Sequence, residues 1–363
     1  MITTSRRALL GAAAAVFALA ACGSDSKDSS SAAATDAAAA ATTAPASTEP
    51  VTLRLGFFAN ITHATALVGV EKGIFTEHLG ANVKLETSTF KAGGEAVEAL
   101  FADAVDASYV GPNPAINGFA KSQGKALRIV SGATSGGAFL VVKPGIAGAA
   151  DLKGKKIATP QLGNTQDIAL RSWLKEQGLS ADESGGGDVS ILPQDNSATL
   201  DAFKAGDIDG AWVPEPWATR LIQEGGAKVL VDERDLWPDG KYVTTQLIVA
   251  TKFLDAHPDV VKQLLEGQVA ANDFVNANPA EAQTLANDQI EKITGKRVKD
   301  EVIAAAWKNL TFTDDPIASS LKKSADSAIS IGLLDPVDLT GIYDLDPLNE
   351  VLKAAGEPTV SDS

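Results

Sequence analysis

The stretch that most constrains this chain is Asp106-Ala107-Ser108-Tyr109-Val110-Gly111-Pro112-Asn113-Pro114-Ala115-Ile116. It reads as a short buried strand that stops at Gly111 and turns straight into a helix. Asn113 is the expected N-cap, and Pro114 suits the first helical position, where a missing N–H costs nothing. A helix that starts where a strand ends aims free backbone N–H groups and the positive end of its dipole into a crevice at the carboxyl edge of a sheet. Such a crevice is a ready site for an anion. The chain then echoes itself. Asp209-Gly210-Ala211-Trp212-Val213-Pro214-Glu215-Pro216 repeats the pattern, and each copy follows a helix-like run, Glu95 to Ala102 and Ala198 to Ala205. Two similar half-units predict two α/β lobes with a cleft between them.

The front of the chain is of another kind. Residues 1–21 combine Arg6 and Arg7, an apolar run from Ala8, and the small residues Ala20 and Ala21 before Cys22. That pattern is an export signal, too short for a spanning helix. Ser5-Arg6-Arg7-Ala8-Leu9-Leu10 is compatible with either the general or the twin-arginine route. Leu19-Ala20-Ala21-Cys22 resembles a bacterial lipobox, whose Cys becomes the lipidated N-terminus, and Cys22 is the single Cys of the chain. Residues 22–50, after that Cys mostly Ser, Ala, Thr and Asp, cannot bury enough surface to fold and read as a tether with a reach on the order of 30 Å. Removing the signal with Arg6 and Arg7 moves the formal charge from −15 to −17. An acidic surface argues against nucleic acid and against adhesion to anionic lipid, so the membrane is expected to be reached through the lipid anchor only.

From Val51 onward the pattern alternates. Val51 to Phe57, Asn82 to Thr87, Leu127 to Gly132, Ala138 to Lys143, Ile157 to Thr159 and Tyr242 to Ala250 read as strands, with helical stretches between many of them. This is the α/β pattern. Asn164 with Asp167 three residues later looks like a capping box. Pro258 to Val275 has helical spacing, but its apolar stripe fades at Gln268 and Asn272. The remainder to Leu334 reads as mostly helical cladding.

Several pieces carry a family likeness: Leu53-Arg54-Leu55-Gly56, Glu71-Lys72-Gly73-Ile74-Phe75, Tyr109 to Pro114, Asp151-Leu152-Lys153-Gly154-Lys155-Lys156-Ile157-Ala158, Asp209 to Trp217, and Phe253 to Val261. In this order they resemble the substrate-binding lipoproteins of bacterial ABC importers for sulfonates, taurine and nitrate. The resemblance implies a two-lobed periplasmic-binding-protein fold of type II, with residues 51–136 and 247–363 in lobe I and 137–246 in lobe II. Two crossovers near Ser135–Leu140 and Thr244–Ile248 would join the lobes. It also implies an extracytoplasmic monomer, anchored to the cell membrane by lipid, that hands a small anion to a permease and its ATPase.

By position, the cleft is expected to be lined by Asn60, Thr62 and His63, by Gly111, Pro112 and Asn113, and by Ser135, Gly136 and Gly137. The second lobe would add Gly163, Asn164 and Thr165, Glu215, and Thr244, Thr245 and Gln246. Thr244 and Thr245 alternate along a strand, so one of the two is expected to face the cleft. These are mostly neutral donors, suited to a weakly basic oxyanion. A phosphate site would recruit Arg, and Arg54, Arg171 and Arg220 fall outside these turns. That favours an aliphatic sulfonate. Glu215, at the expected cleft mouth, suggests a taurine-like aminosulfonate whose ammonium it would face. Nitrate, bicarbonate and thiamine-precursor binding are the alternatives within this fold, as is a sensor that docks on a membrane receptor instead of a permease. An enzyme is not expected. The desulfinase of this fold needs a nucleophilic Cys, and here the one Cys is assigned to the anchor. His63, His78 and His257 are too widely spaced to suggest a metal site or a cofactor.

Overall fold

The computed structural model describes residues 50–362. The expected signal peptide, Cys22 and all but the last residue of the expected tether lie outside the described residues. A six-stranded sheet is built from β1 (Val51–Phe58), β2 (Val83–Phe90), β3 (Ala107–Val110), β4 (Leu127–Gly136), β10 (Val243–Ala250) and β11 (Leu310–Phe312). A five-stranded sheet is built from β5 (Ala138–Val142), β6 (Lys156–Thr159), β7 (Ser190–Pro193), β8 (Gly210–Pro214) and β9 (Lys228–Asp232). In the first, β1 runs parallel to β2 and β3, while β10 lies antiparallel between β3 and β4. In the second, β6 runs parallel to β7 and β8, while β5 lies antiparallel between β8 and β9.

The second sheet is buried on both faces, as its pleat dictates. Leu140 and Val142 of β5 pack with Ile157, Leu170, Leu174 and Trp212. The alternate residues Phe139 and Val141 pack on the other face with Ala158, Leu200, Phe203 and Val213. The first sheet shares one large core with its helices, in which Leu53, Leu55 and Phe57 of β1 join Leu67, Phe75, Val261 and Leu264.

The chain passes from the first sheet to the second at Gly136-Gly137, between β4 and β5. Both glycines have positive φ, +79° and +76°. A Cβ on Gly137 would come 2.1 Å from Leu310, and one on Gly136 would come 2.8 Å from the Asn309 carbonyl oxygen. The return runs through the turns Glu233–Leu236 and Pro238–Gly240 into β10. It therefore lies before Thr244–Ile248, the segment expected from the resemblance. Strand pairing assigns Val243 to Gln246 to the first sheet, because β10 pairs with β4 from Val243 to Ala250 and with β3 from Gln246 to Val249.

Three local expectations change. The helix after β3 starts at Pro112 with Gly111 as N-cap, not at Pro114 with Asn113 as N-cap. Pro112 already supplies the preset φ at the first position, and the Asn113 amide donates instead to the Ser324 carbonyl at 3.2 Å. At the start of Thr165–Glu176, the Asn164 side chain accepts from Thr165 N–H, and Asp167 accepts from Gly163 N–H at 2.9 Å, so the reciprocal capping box does not form. The helix Pro258–Ala277 keeps its buried stripe to the end. Gln268 donates to the Gly132 carbonyl and to Asp314, and Asn272 donates to Asp314, so these polar residues are satisfied inside the core. The stretch read as helical also contains the edge strand β11, which pairs with β4.

Candidate functional site

The loops at the carboxyl ends of the parallel strands converge on one cavity. From the first sheet come Phe58 at the end of β1, Asn60, Thr62 and His63 after it, Lys91 after β2, Gly111 after β3, and Thr244 and Thr245 of β10. From the second come Pro160, Asn164, Thr165 and Gln166 after β6, Asn196 after β7 and Pro214 of β8. The cavity encloses about 20 Å³ for the centre of a water-sized sphere, roughly the room one water needs. The two sides are thus drawn together around a small space.

Three helices begin here. Gly111 caps Pro112–Lys121, Asn164 caps Thr165–Glu176, and Asn196 opens Asn196–Ala205. Their first turns concentrate unpaired N–H groups and positive dipole ends at the cavity. Asp167, in one of those turns, is taken up behind the site. Its carboxylate accepts from Thr159 Oγ1 at 2.8 Å and from Arg171 Nε at 2.8 Å, with both members of the ion pair buried. That pairing leaves little net charge to oppose an anion.

The side chains are set as donors. His63 is buried and stacks on Phe58 with ring centroids 4.3 Å apart. Its Nδ1 accepts from Phe58 N–H at 3.4 Å, which assigns the ring proton to Nε2. Burial pulls its pKa down to about 3, so the ring is neutral. Lys91, the one cation among the described lining residues, is paired with Asp195 at 2.7 Å across the two sheets. Among those residues none is acidic. The Gln246 amide is buried and unpartnered but does not line the cavity, whereas Thr165 Oγ1, Thr245 Oγ1 and Asn196 Oδ1 are buried without a hydrogen-bond partner on residues that do. Buried polar atoms ordinarily have partners, so these orphans mark a place built to receive one.

Of the residues expected at the cleft, Asn60, Thr62, His63, Gly111, Asn164, Thr165, Thr244 and Thr245 border the cavity together. Both threonines do so because the register of β10 shifts on each side of Thr245, which breaks strict alternation. Pro112 and Asn113 sit in the first helical turn just behind. Ser135 accepts from Tyr242 N–H, and Gly136 accepts from Thr244 Oγ1 at 2.6 Å, so these and Gly137 serve the crossover. Gly163 accepts from the Asn117 amide at the outer rim. Glu215 is fully buried away from the cavity, with its carboxylate bound by Thr219 and Asn309. Trp212 lies in the core and donates to Glu233 at 2.8 Å. Phe58, Lys91, Pro160, Gln166, Asn196 and Pro214 also line the cavity, and no local pattern in the chain marks them for it. Among the described residues no cluster of three or more His, Cys, Asp or Glu could hold a metal ion.

The same architecture recurs in known proteins. The chain is 27% identical over 82% of its length to a Brucella abortus protein described as a binding protein, covering 92% of that protein. It is 29% identical over 59% of its length to the taurine-binding periplasmic protein of Escherichia coli, covering 64% of that protein. The structure superimposes on the periplasmic nitrate-binding protein NrtA of Synechocystis with a TM-score of 0.71 at 18% identity, covering 85% of this chain and 90% of that one. The likeness establishes a two-lobed periplasmic-binding-protein fold. Residues 46–288, well over half of the chain, match the NMT1-like family, and to that family the chain belongs.

Proposed function

We propose that this chain is an extracytoplasmic solute-binding protein that captures a small oxyanion, foremost an aliphatic sulfonate, and delivers it to an ABC permease and its ATPase. One observation carries the reading. A small cavity between the two sheets gathers buried, unpartnered hydroxyls of Thr165 and Thr245 from opposite sides, with no acidic residue among its described lining. An oxyanion would supply acceptors to both, and neutral donors bind it without fixing it too tightly for release. The taurine-binding relative supports a sulfonate head group. With Glu215 withdrawn from the cavity, a plain alkanesulfonate fits better than an aminosulfonate. Nitrate is the second reading, favoured by the small volume and by the likeness to NrtA. The protein works as a monomer tethered through lipidated Cys22, and it catalyses no reaction.

Calorimetric and thermal-shift titration with methanesulfonate, taurine, nitrate, choline and glucose tests this. An anion at about a hundred times its dissociation constant adds about 2.7 kcal/mol to stability. Stabilisation by choline or glucose, with none by the three others, would overturn the proposal.

A further inference from the structure

Asn60 lines the cavity from the first sheet, and its Oδ1 accepts a hydrogen bond from Trp217 Nε1–H at 2.7 Å. Trp217 is not a lining residue. It opens the helix Trp217–Gly225 that follows β8, so the bond spans the two sheets. Its chemistry removes an ambiguity. An indole N–H can only donate, so the atom it meets must be the amide oxygen. The two ends of an Asn amide are otherwise interchangeable by a flip. With the oxygen held by Trp217, the Nδ2 end is the one left to the cavity. The indole is itself held, because the Arg220 guanidinium lies over its ring at 5.0 Å and is paired with Glu224.

We propose that Trp217 is a positioning residue for anion selectivity. By holding the acceptor of Asn60, it makes that side chain a pure donor toward the ligand, and it does so only when the two sides of the cleft are together. Closure and preference for an acceptor-rich ligand are thereby one event. Without the indole N–H, the amide is free to flip and present its oxygen to the anion, which repels it.

This rests on the oxyanion reading, and the test separates the two. The probe is whichever of methanesulfonate and nitrate binds the unmodified protein; binding of neither removes the reading and this inference together. Trp217→Phe keeps the ring under Arg220 and deletes the donor. It is expected to raise the dissociation constant about tenfold, the effect of one hydrogen bond to a charged group, while the ligand-free thermal midpoint stays close to the parent's. In an Asn60→Ala background the same change is expected to have no further effect on affinity, an interaction that a purely structural role would not produce. Asn60→Asp, which keeps an acceptor for Trp217 but turns a second acceptor to the cavity, is expected to abolish binding. Unchanged affinity in Trp217→Phe, or an equal loss whether Asn60 is present or replaced, would overturn the assignment.

Discussion

Glu215, in the turn after β8, and Asn309, just before β11, are joined by a hydrogen bond of 2.7 Å from the Asn309 amide to Glu215 Oε1. The bond ties the second sheet to the edge of the first, beside the crossover at Gly136-Gly137. The same carboxylate accepts from Thr219 Oγ1 at 2.7 Å and from Thr219 N–H at 3.0 Å. Burial pushes the carboxyl upward, and these donors pull it back. Glu215 is thus a clasp for the fold.

Glu215→Gln is therefore expected to act on stability. One of its two ends would become a donor facing donors, at a cost of about 1–3 kcal/mol. Taurine and methanesulfonate should be affected equally. Selective loss of taurine in a calorimetric comparison would return Glu215 to the ligand.

The strands that organise the fold were legible because their signals are local. Asp106 to Val110 and Asp209 to Val213 are apolar runs that end at Gly or Pro, and both became central strands. The site was legible only where it lay on those turns. Lys91 and Asn196 sit at helix entries that no periodicity distinguishes from a solvated loop. They became neighbours of Asn164 and Gly111 only when the two sheets met. The burial of Glu215 was hidden for a related reason. A carboxylate between two prolines looks exposed until a partner 94 residues away, Asn309, is brought to it.

Gly111 is required by close approach. Its φ of −74° suits any residue, but a Cβ there would fall 2.4 Å from Thr165 Oγ1 on the opposite side of the cavity. Gly111→Ala should leave each half folded and force Thr165 off its rotamer on closing, at a cost of about 1 kcal/mol. The expected outcome is several-fold weaker oxyanion binding with little change in the ligand-free thermal midpoint. Binding as tight as the parent's would show that Thr165 moves freely.

Lys91 is the charge closest to hand for an anion, and Asp195 neutralises it. Asp195→Asn should free that charge and tighten oxyanion binding several-fold at low salt, with the gain fading as salt screens it. The pair is largely exposed, so stability should change little. Weaker binding at every salt concentration would mean that the pair matters as a latch and not as a charge balance.

Cys22 is expected to be diacylated after cleavage behind Ala21. Metabolic labelling with a fatty-acid analogue should mark the parent protein and not Cys22→Ser. Label retained in the variant would remove the anchor.

Buried titratable groups give the fold two opposed pH dependences. The depressed pKa of His63, about 3 against an ordinary 6.5, means that the unfolded chain takes up a proton where the folded one does not. Its contribution to stability is present above pH 6.5 and declines as the pH falls toward 3. Glu233 and Asp314 act the other way. Burial pushes Glu233 from 4.5 up to about 7 against hydrogen bonds from Trp212 and Trp237, and pushes Asp314 from 3.8 up to about 6 against Gln268 and Asn272. The folded chain holds these protons more tightly, so their contribution is present at low pH and is lost as the pH rises through about 6 and 7. Each such group supplies a slope of up to about 1.4 kcal/mol per pH unit in its window. Glu233→Gln should flatten the loss of stability between about pH 5 and pH 7, where Glu233 keeps its proton in the folded chain but is already ionised in the unfolded one. His63→Gln should make the protein gain more on acidification than the parent does, because the opposing group is gone. Urea unfolding of the three proteins across this range measures both slopes. A parent-like slope in Glu233→Gln would place the proton elsewhere, on Asp314 or on a group outside the core.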